Sequence, residues 1–157
     1  INNVTPGSYN DVGLATGYQN ASNPITVSAG QTTTQNLALT PLGTVTGGVR
    51  DAVTNAPLVG ASVRLEQGGV IKYGPVSTNS TGNYTINNVT PGSYDDVGLA
   101  TGYLNASVPI TVNAGQTTTQ NLALTPNTGT VTGGVRDAVT NAPLSGATVR
   151  LEQNSII

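Results

Sequence analysis

Cysteine, methionine, tryptophan, phenylalanine and histidine are all missing from this 157-residue chain. Without cysteine the chain can form no disulfide bond and no thiolate metal site, and without histidine it lacks the commonest general base and zinc ligand. Only 8% of the residues are charged, and the formal net charge is -2. Its 5 cations cannot form the clustered basic face that a phosphate backbone requires, so we expect no nucleic-acid partner.

Long apolar runs are missing as well. None approaches the roughly 18 residues of a membrane-spanning helix, so we expect no membrane span in this stretch. The chain does not open with a basic segment followed by an apolar one, and we expect any signal or anchor to lie outside these residues. What the chain does contain is threonine, asparagine, valine, alanine and 20 glycines.

Candidate catalytic side chains are few. Serine and threonine are abundant, but no histidine or cysteine is present to activate them. The acidic pair Asp95 and Asp96 could bind calcium or act as acid and base, yet no D-x-D-x-D-G loop occurs, and an equivalent stretch has Asn10 and Asp11. Lys72, the single lysine, could pair with a serine or crosslink to an asparagine. We predict no enzyme, no catalytic residue, no metal and no cofactor.

The chain repeats itself at a domain-sized interval. Residues 1–41 return as residues 86–126 with differences only at positions 10, 19, 23 and 28, and residues 43–67 return as residues 129–153 with two differences. A unit of this length has its own core, so we expect separate domains on a string rather than a solenoid. The predicted organisation is a complete repeat at 43–126, the C-terminal half of a repeat at 1–41 and the N-terminal half at 129–157, with Pro41 and Pro126 as linker residues.

Short alternating segments separated by turn residues predict an all-β sandwich of about seven or eight strands, without helices. In "ASVRLEQ", Ala61, Val63 and Leu65 alternate with polar residues and therefore share one inward face. "TPGSY" is typical of a turn with proline and glycine at its centre. The apolar alternation breaks between Tyr94 and Val97, which predicts a bulge or an edge strand there.

The two half repeats are expected to expose apolar strand faces and unpaired edges. Either the polypeptide continues in both directions, or the C-terminal half of one molecule completes the N-terminal half of the next by strand complementation. Both interpretations predict a polymer of copies of this chain. The predicted contact residues are Val4, Val12, Leu14, Ile25 and Val27 at one end and Val131, Val135, Val149 and Leu151 at the other.

Several short patterns recur in the order that one known family shows. They are "GVRD" at residues 48–51, "PLVGASV" after it, the pattern T-x-x-x-G-x-Y-x-I-x-x-V-x-P-G-x-Y at residues 78–94, Gly102-Tyr103, and "VNAGQT" before the last strand. Over essentially the whole repeat the sequence resembles the carboxypeptidase regulatory-like domain, a transthyretin-like β-sandwich. The resemblance implies a seven-stranded sandwich without catalytic residues, used as an accessory or tandem module in secreted and cell-surface proteins. The predicted fold class is therefore all-β, with tandem immunoglobulin-like or transthyretin-like sandwiches.

The N-x-[ST] glycosylation pattern is dense. Glycans on these asparagines would shield a weakly charged chain from self-association, provided that the host has the machinery. The candidate glycosylation sites are Asn3, Asn20, Asn79, Asn83, Asn88 and Asn105.

These features predict a structural protein of an extracellular or cell-surface filament, stalk or fibre, in which repeats are joined head to tail. An adhesin or carbohydrate-binding accessory module of a larger secreted protein is the alternative. Tyrosines supply all the aromatic rings, and an exposed pair made of Tyr73 and Tyr103 would favour that alternative. An accessory domain of a metallopeptidase is a third possibility.

Overall fold

A computed structural model describes residues 1–152, which contain 12 strands and no helix. This architecture confirms the predicted all-β class. The strands are β1 (Gly7–Gly13), β2 (Tyr18–Gln19), β3 (Ala21–Val27), β4 (Thr40–Pro41), β5 (Gly43–Asp51), β6 (Ser62–Gln67), β7 (Val70–Ser77), β8 (Asn83–Val89), β9 (Gly92–Leu99), β10 (Ala106–Val112), β11 (Thr117–Thr119) and β12 (Leu122–Leu124).

Strands β5 to β12 form a sandwich of two 4-stranded sheets. One sheet has the order β10-β9-β6-β7, and all its pairs are antiparallel. In the other, β5 pairs antiparallel with β8 and parallel with β11 and β12. The apolar core between the sheets consists of Val45, Val49, Ala61, Val63, Leu65, Tyr84, Ile86, Val89, Tyr94, Ile110, Val112, Leu122 and Leu124.

Strand β9 is central, so the predicted bulge or edge strand is wrong. It pairs residue for residue with β10 on one side and with β6 on the other. Asp96 lies opposite the core residue Leu65, and cross-strand partners share a face, so Asp96 points inward. A Cβ built on Gly98 would lie 2.8 Å from Leu122 Cδ1. The inward side of β9 therefore carries a carboxylate and a glycine where alternation predicts apolar side chains.

Identical sequences form strands only where a partner strand is present. The residues of β11 and β12 are strands on β5, but the same residues at 32–34 and 37–39 are not. Residues 129–152 repeat the sequence of β5 and most of β6, and they contain no strand, only an isolated bridge between Arg136 and Pro143. A strand needs a neighbour for its backbone N–H and C=O groups, which explains the difference.

Both predicted linker prolines pair through their backbone with a tyrosine of the repeat that precedes them. Pro41 pairs with Tyr18, and Pro126 pairs with Tyr103. The residue after each proline donates its N–H to the carbonyl oxygen of the glycine before that tyrosine, at 2.8 Å and 2.9 Å. Pairing at the exit restricts the directions in which the next repeat can begin.

Gly47 lies where β5 and the segment between β11 and β12 approach most closely. A Cβ at Gly47 would lie 1.6 Å from the carbonyl oxygen of Gln120 and 2.9 Å from the ring of Tyr84. The Gln120 N–H also donates a hydrogen bond to the carbonyl oxygen of Thr46 at 2.8 Å. The backbone at Gln120 therefore cannot move away from an added Cβ without breaking this hydrogen bond. We expect Gly47→Ala to lower the free energy of unfolding by roughly 1–3 kcal/mol, measured by urea unfolding in dilute solution.

Gly133 is the matched control, because it holds the same place in the following copy of the sequence. No atom lies within 4 Å of a Cβ built on Gly133. Gly133→Ala should therefore leave the unfolding of the complete repeat unchanged. Equal destabilisation by the two substitutions would contradict this account of β5.

Candidate functional site

Residues 1–41 present apolar side chains that the complete repeat buries. Tyr9 is 42% exposed, whereas its counterpart Tyr94 is 7% exposed. Ile25 and Val27, whose counterparts Ile110 and Val112 are core residues, are only half-buried. Strand β1 pairs with β3 in the register that β9 and β10 use, but its other edge, where β6 would lie, has no strand.

The predicted contact residues of this end fall on two faces. Val4, like Ile25 and Val27, corresponds to a core position of the complete repeat and is half-buried. Val12 and Leu14 continue the outward-facing positions of β1 and are 52% and 68% exposed. Val97, the counterpart of Val12, is nevertheless only 7% exposed in the complete repeat, so Val12 can also become buried, and the role of all these residues stays a prediction.

The predicted contact residues of the other end all correspond to core positions. Their exposed fractions range from 39% to 78%, whereas each counterpart in the complete repeat is 0% exposed. The exposed residues are Val131 (71%), Val135 (39%), Val149 (70%) and Leu151 (78%), and their counterparts are Val45, Val49, Val63 and Leu65. Residues 129–152 thus carry the apolar side chains of two central strands without a core to bury them.

The unpaired edges of the two half repeats are complementary. In the complete repeat, β5 pairs with β11 and β12, and β6 pairs with β9. Residues 1–41 contain the counterparts of β9, β11 and β12, while residues 129–152 contain those of β5 and most of β6. Within residues 1–152 no strand pairing joins these two segments. Each half repeat therefore contains counterparts of strands that pair, in the complete repeat, with the strands whose counterparts lie in the other half repeat.

A carboxyl group lies inside the core of the complete repeat. Asp96 is 0% exposed; the Tyr84 hydroxyl hydrogen-bonds to its Oδ2, while Oδ1 has no partner among the described residues. The same hydroxyl lies 2.8 Å from the carbonyl oxygen of Gln120. One hydroxyl proton cannot serve both acceptors. A protonated Asp96 removes the conflict, because it donates to Tyr84 while Tyr84 donates to Gln120.

The surroundings of Asp96 also favour its protonated form. Burial raises the pKa of Asp96 to about 6, although the hydrogen bond from Tyr84 acts to lower it. Burial, and then the hydrogen bond to Asp96, raises the pKa of Tyr84. The counterpart Asp11 lies in the half repeat and is partly exposed.

The acidic pair considered for calcium binding is divided between the two faces of β9. Asp96 points into the core, and Asp95 points to the outer side, since neighbouring residues on a strand face opposite ways. The two carboxyl groups therefore cannot converge on one cation. Residues 1–152 contain no group of three or more metal-ligating side chains and no helix suited to cross a membrane.

A second carboxylate fixes the loop after β5. Asp51 Oδ1 accepts the N–H groups of Val53 at 2.7 Å and Thr54 at 2.8 Å, and Oδ2 accepts the Tyr103 hydroxyl at 2.8 Å. We call the Asp51–Tyr103 hydrogen bond the loop latch. The bonds from Thr54, Tyr103 and Val53 hold the pKa of Asp51 below its usual value. Because Tyr103 also pairs with Pro126, the latch connects this loop to the exit of the repeat.

Tyr73 and Tyr103 do not form an exposed pair. Both are partly buried against the core. The ring of Tyr73 meets Tyr94 edge-on with centroids 5.7 Å apart, and its hydroxyl bonds to Thr90. Tyr103 is held in the loop latch. The exposed pair that would favour the carbohydrate-binding alternative is therefore not formed by these two residues.

The other candidate positions lie at the surface. Lys72 is exposed on β7. All six candidate glycosylation sites are exposed, and Asn79 Oδ1 accepts hydrogen bonds from Thr81 and Asn83 within its loop. Glycosylation of these asparagines stays a prediction.

A family model, the carboxypeptidase regulatory-like domain, matches residues 44–125. The comparison with curated proteins found no match. Similar solved structures include a putative carbohydrate binding protein from Bacteroides uniformis, with 17% identity, a TM-score of 0.44, and coverage of 55% of this chain and 42% of that chain.

Two pilus proteins are also similar. A streptococcal ancillary pilin has 22% identity and a TM-score of 0.48 over 80% of this chain and 43% of its own. The group B streptococcus pilus 2b backbone protein has 17% identity and a TM-score of 0.47 over 76% of this chain and 53% of its own. The chain thus spans about half, or less, of these three solved chains. With TM-scores below 0.5, none of them assigns a function.

Asp96 makes the stability of the complete repeat depend on pH. Its folded pKa of about 6 exceeds the ordinary value of 3.8, so between these values the folded repeat binds more protons than the unfolded chain. Its contribution to stability is complete below about pH 4 and is lost as the pH rises through about 6. We expect Asp96→Asn to flatten this part of the profile of unfolding free energy against pH, measured by urea unfolding.

Asp95→Asn is the matched control, because it removes a carboxylate from the outer side of the same strand. It should keep the loss of stability between about pH 4 and pH 6 that Asp96 causes. Superimposable pH profiles for the unchanged chain and Asp96→Asn would show that Asp96 is not the group responsible.

Proposed function

Because the chain belongs to the carboxypeptidase regulatory-like domain family, we propose that it is a non-enzymatic structural subunit of a filament outside the cell or on its surface. The filament consists of tandem β-sandwich repeats joined head to tail. The complete repeat at 43–126 is one unit. The half repeat at 129–157 of one copy and the half repeat at 1–41 of the next form the joint between units.

The observation that carries this proposal is the contrast between identical sequences. Residues 32–39 and 129–137 lack strands, although in the complete repeat the same residues form β11, β12 and β5, and β5 pairs with the other two. Bringing the two half repeats together supplies the missing hydrogen-bond partners on both sides. The joint would then contain the same ladders that β5 forms with β11 and β12 in the complete repeat.

Burial of apolar surface favours the same arrangement. Val131, Val149 and Leu151 are at least 70% exposed, and their counterparts are fully buried. Complete burial of such a side chain contributes roughly 1.5–3 kcal/mol. Gln35 and Leu37 of the receiving half repeat would lie against the arriving strand as Gln120 and Leu122 lie against β5.

The joint differs from the complete repeat in one respect. Neither half repeat contains the counterpart of residues 72–85, which make up most of β7 and the start of β8. Strand β7 is at the edge of its sheet, so without it the sheet ends at the β6 counterpart. The joint also lacks the counterpart of Tyr84, which is a core residue. A joint made of residues 1–41 and 129–157 alone would therefore be weaker than the complete repeat.

Gly133→Ala tests the joint. In the joint, a Cβ at Gly133 would meet the carbonyl oxygen of Gln35, as a Cβ at Gly47 would meet that of Gln120. We expect the unchanged chain to form open-ended oligomers whose size grows with concentration in sedimentation velocity. Gly133→Ala should abolish most of this association without altering the unfolding of the complete repeat.

Val139→Ala is the matched control for the joint. Val139 is 94% exposed, and its counterpart Val53 remains 77% exposed in the complete repeat, so the side chain gains little burial in the joint. The variant should associate like the unchanged chain. A chain that stays monomeric at every concentration would overturn the proposed joint.

A further inference from the structure

The loop latch has an unpaired counterpart in each half repeat. The residues equivalent to Tyr103 and Asp51 are Tyr18 and Asp137. Among the hydrogen bonds found within residues 1–152, Asp137 uses only Oδ1, and the Tyr18 hydroxyl takes part in none. One donor and one acceptor of the latch are therefore free, and they lie in different half repeats.

The acceptor side is already shaped for this bond. Asp137 Oδ1 accepts the N–H groups of Val139 at 2.9 Å and Thr140 at 2.7 Å, as Asp51 Oδ1 accepts those of Val53 and Thr54. The Asp137 N–H donates to Ala142 at 2.9 Å, as the Asp51 N–H donates to Ala56. The loop thus takes the conformation of its counterpart without the sandwich around it, and Oδ2 remains available.

The donor side is held in place as well. Tyr18 pairs through its backbone with Pro41, as Tyr103 pairs with Pro126. Its side chain is 43% exposed. The backbone of Tyr18 is therefore fixed by a contact that does not depend on the joint, and only the side chain needs to be ordered when a partner arrives.

We propose that the Tyr18 hydroxyl of one copy donates a hydrogen bond to Asp137 Oδ2 of the preceding copy, and that this bond, together with the close approach at Gly133, sets the register of the joint. This inference rests on the proposed head-to-tail function. Burial of one apolar face excludes a slip of the strand by one residue, but a slip by two residues keeps the same face toward the core. A single polar bond at the end of the strand is satisfied in one register only.

The ionisation of Asp137 supports the bond. Hydrogen bonds from Thr140 and Val139 hold the pKa of Asp137 below its usual value, so the acceptor is a carboxylate at neutral pH. Hydrogen bonds to charged groups are stronger than those between neutral groups. The same loop would be joined to the exit at Pro41, as the latch in the complete repeat joins it to Pro126.

Tyr18→Phe tests this bond, because it removes the hydroxyl and leaves the backbone pairing with Pro41 intact. We expect association in sedimentation velocity to weaken roughly tenfold, since a bond to a charged acceptor is lost. The unfolding of the complete repeat should not change. Tyr103→Phe is the matched control and should do the reverse, lowering the stability of the complete repeat while the joint persists.

Asp137→Asn tests the same hydrogen bond independently, from the acceptor side. The amide oxygen can still accept the two N–H groups of the turn, but its NH2 group cannot accept a hydroxyl proton. If the bond exists, the double variant with Tyr18→Phe should associate no more weakly than either single variant. Equal association of the unchanged chain and Tyr18→Phe would overturn the bond and leave the head-to-tail proposal standing. Absence of any association by the unchanged chain would instead overturn the head-to-tail proposal itself.

Discussion

The backbone ladders of β5 are the constraint on which the rest of the structure depends. This strand pairs antiparallel with β8 and parallel with β11 and β12, and so connects segments that lie far apart in the chain. Where β5 is present, its partners are strands and their apolar residues are buried. Where it is missing, as beside residues 32–39, the identical sequence forms no strand. Backbone polar groups need partners, and propensity alone does not supply them.

Close packing around β5 explains the positions of two glycines. Gly47 admits the backbone at Gln120, and Gly98 on the opposite sheet admits the side chains of Leu122 and Leu124. Both glycines have ordinary φ values, so contact rather than a special turn requires them. The buried Asp96 lies two positions before Gly98 on the same inward face, where Tyr84 provides its hydrogen bond. The core thus contains a buried hydrogen bond between Asp96 and Tyr84 beside close approaches at glycines.

Much of the fold could be predicted from local pattern. The alternation through Ala61, Val63 and Leu65 correctly identified an inward face, because strand geometry turns successive side chains to opposite sides. The same reasoning failed for β9. It treated Val97 as an inward residue, but the inward positions hold Asp96 and Gly98. A pattern that counts apolar residues cannot recognise a carboxyl group whose partner is a tyrosine on another strand.

The sequence by itself determined the all-β class, the family and the repeat. The fold class follows from composition and periodicity, the repeat from matching one stretch of the chain with another, and the family from motifs that the chain shares with its members. Only the tertiary structure decided which copies of a sequence become strands, that Asp96 is buried, and that Asp51 and Tyr103 form a latch. These outcomes depend on contacts between residues distant in sequence, and such contacts exist only once the sheets have come together.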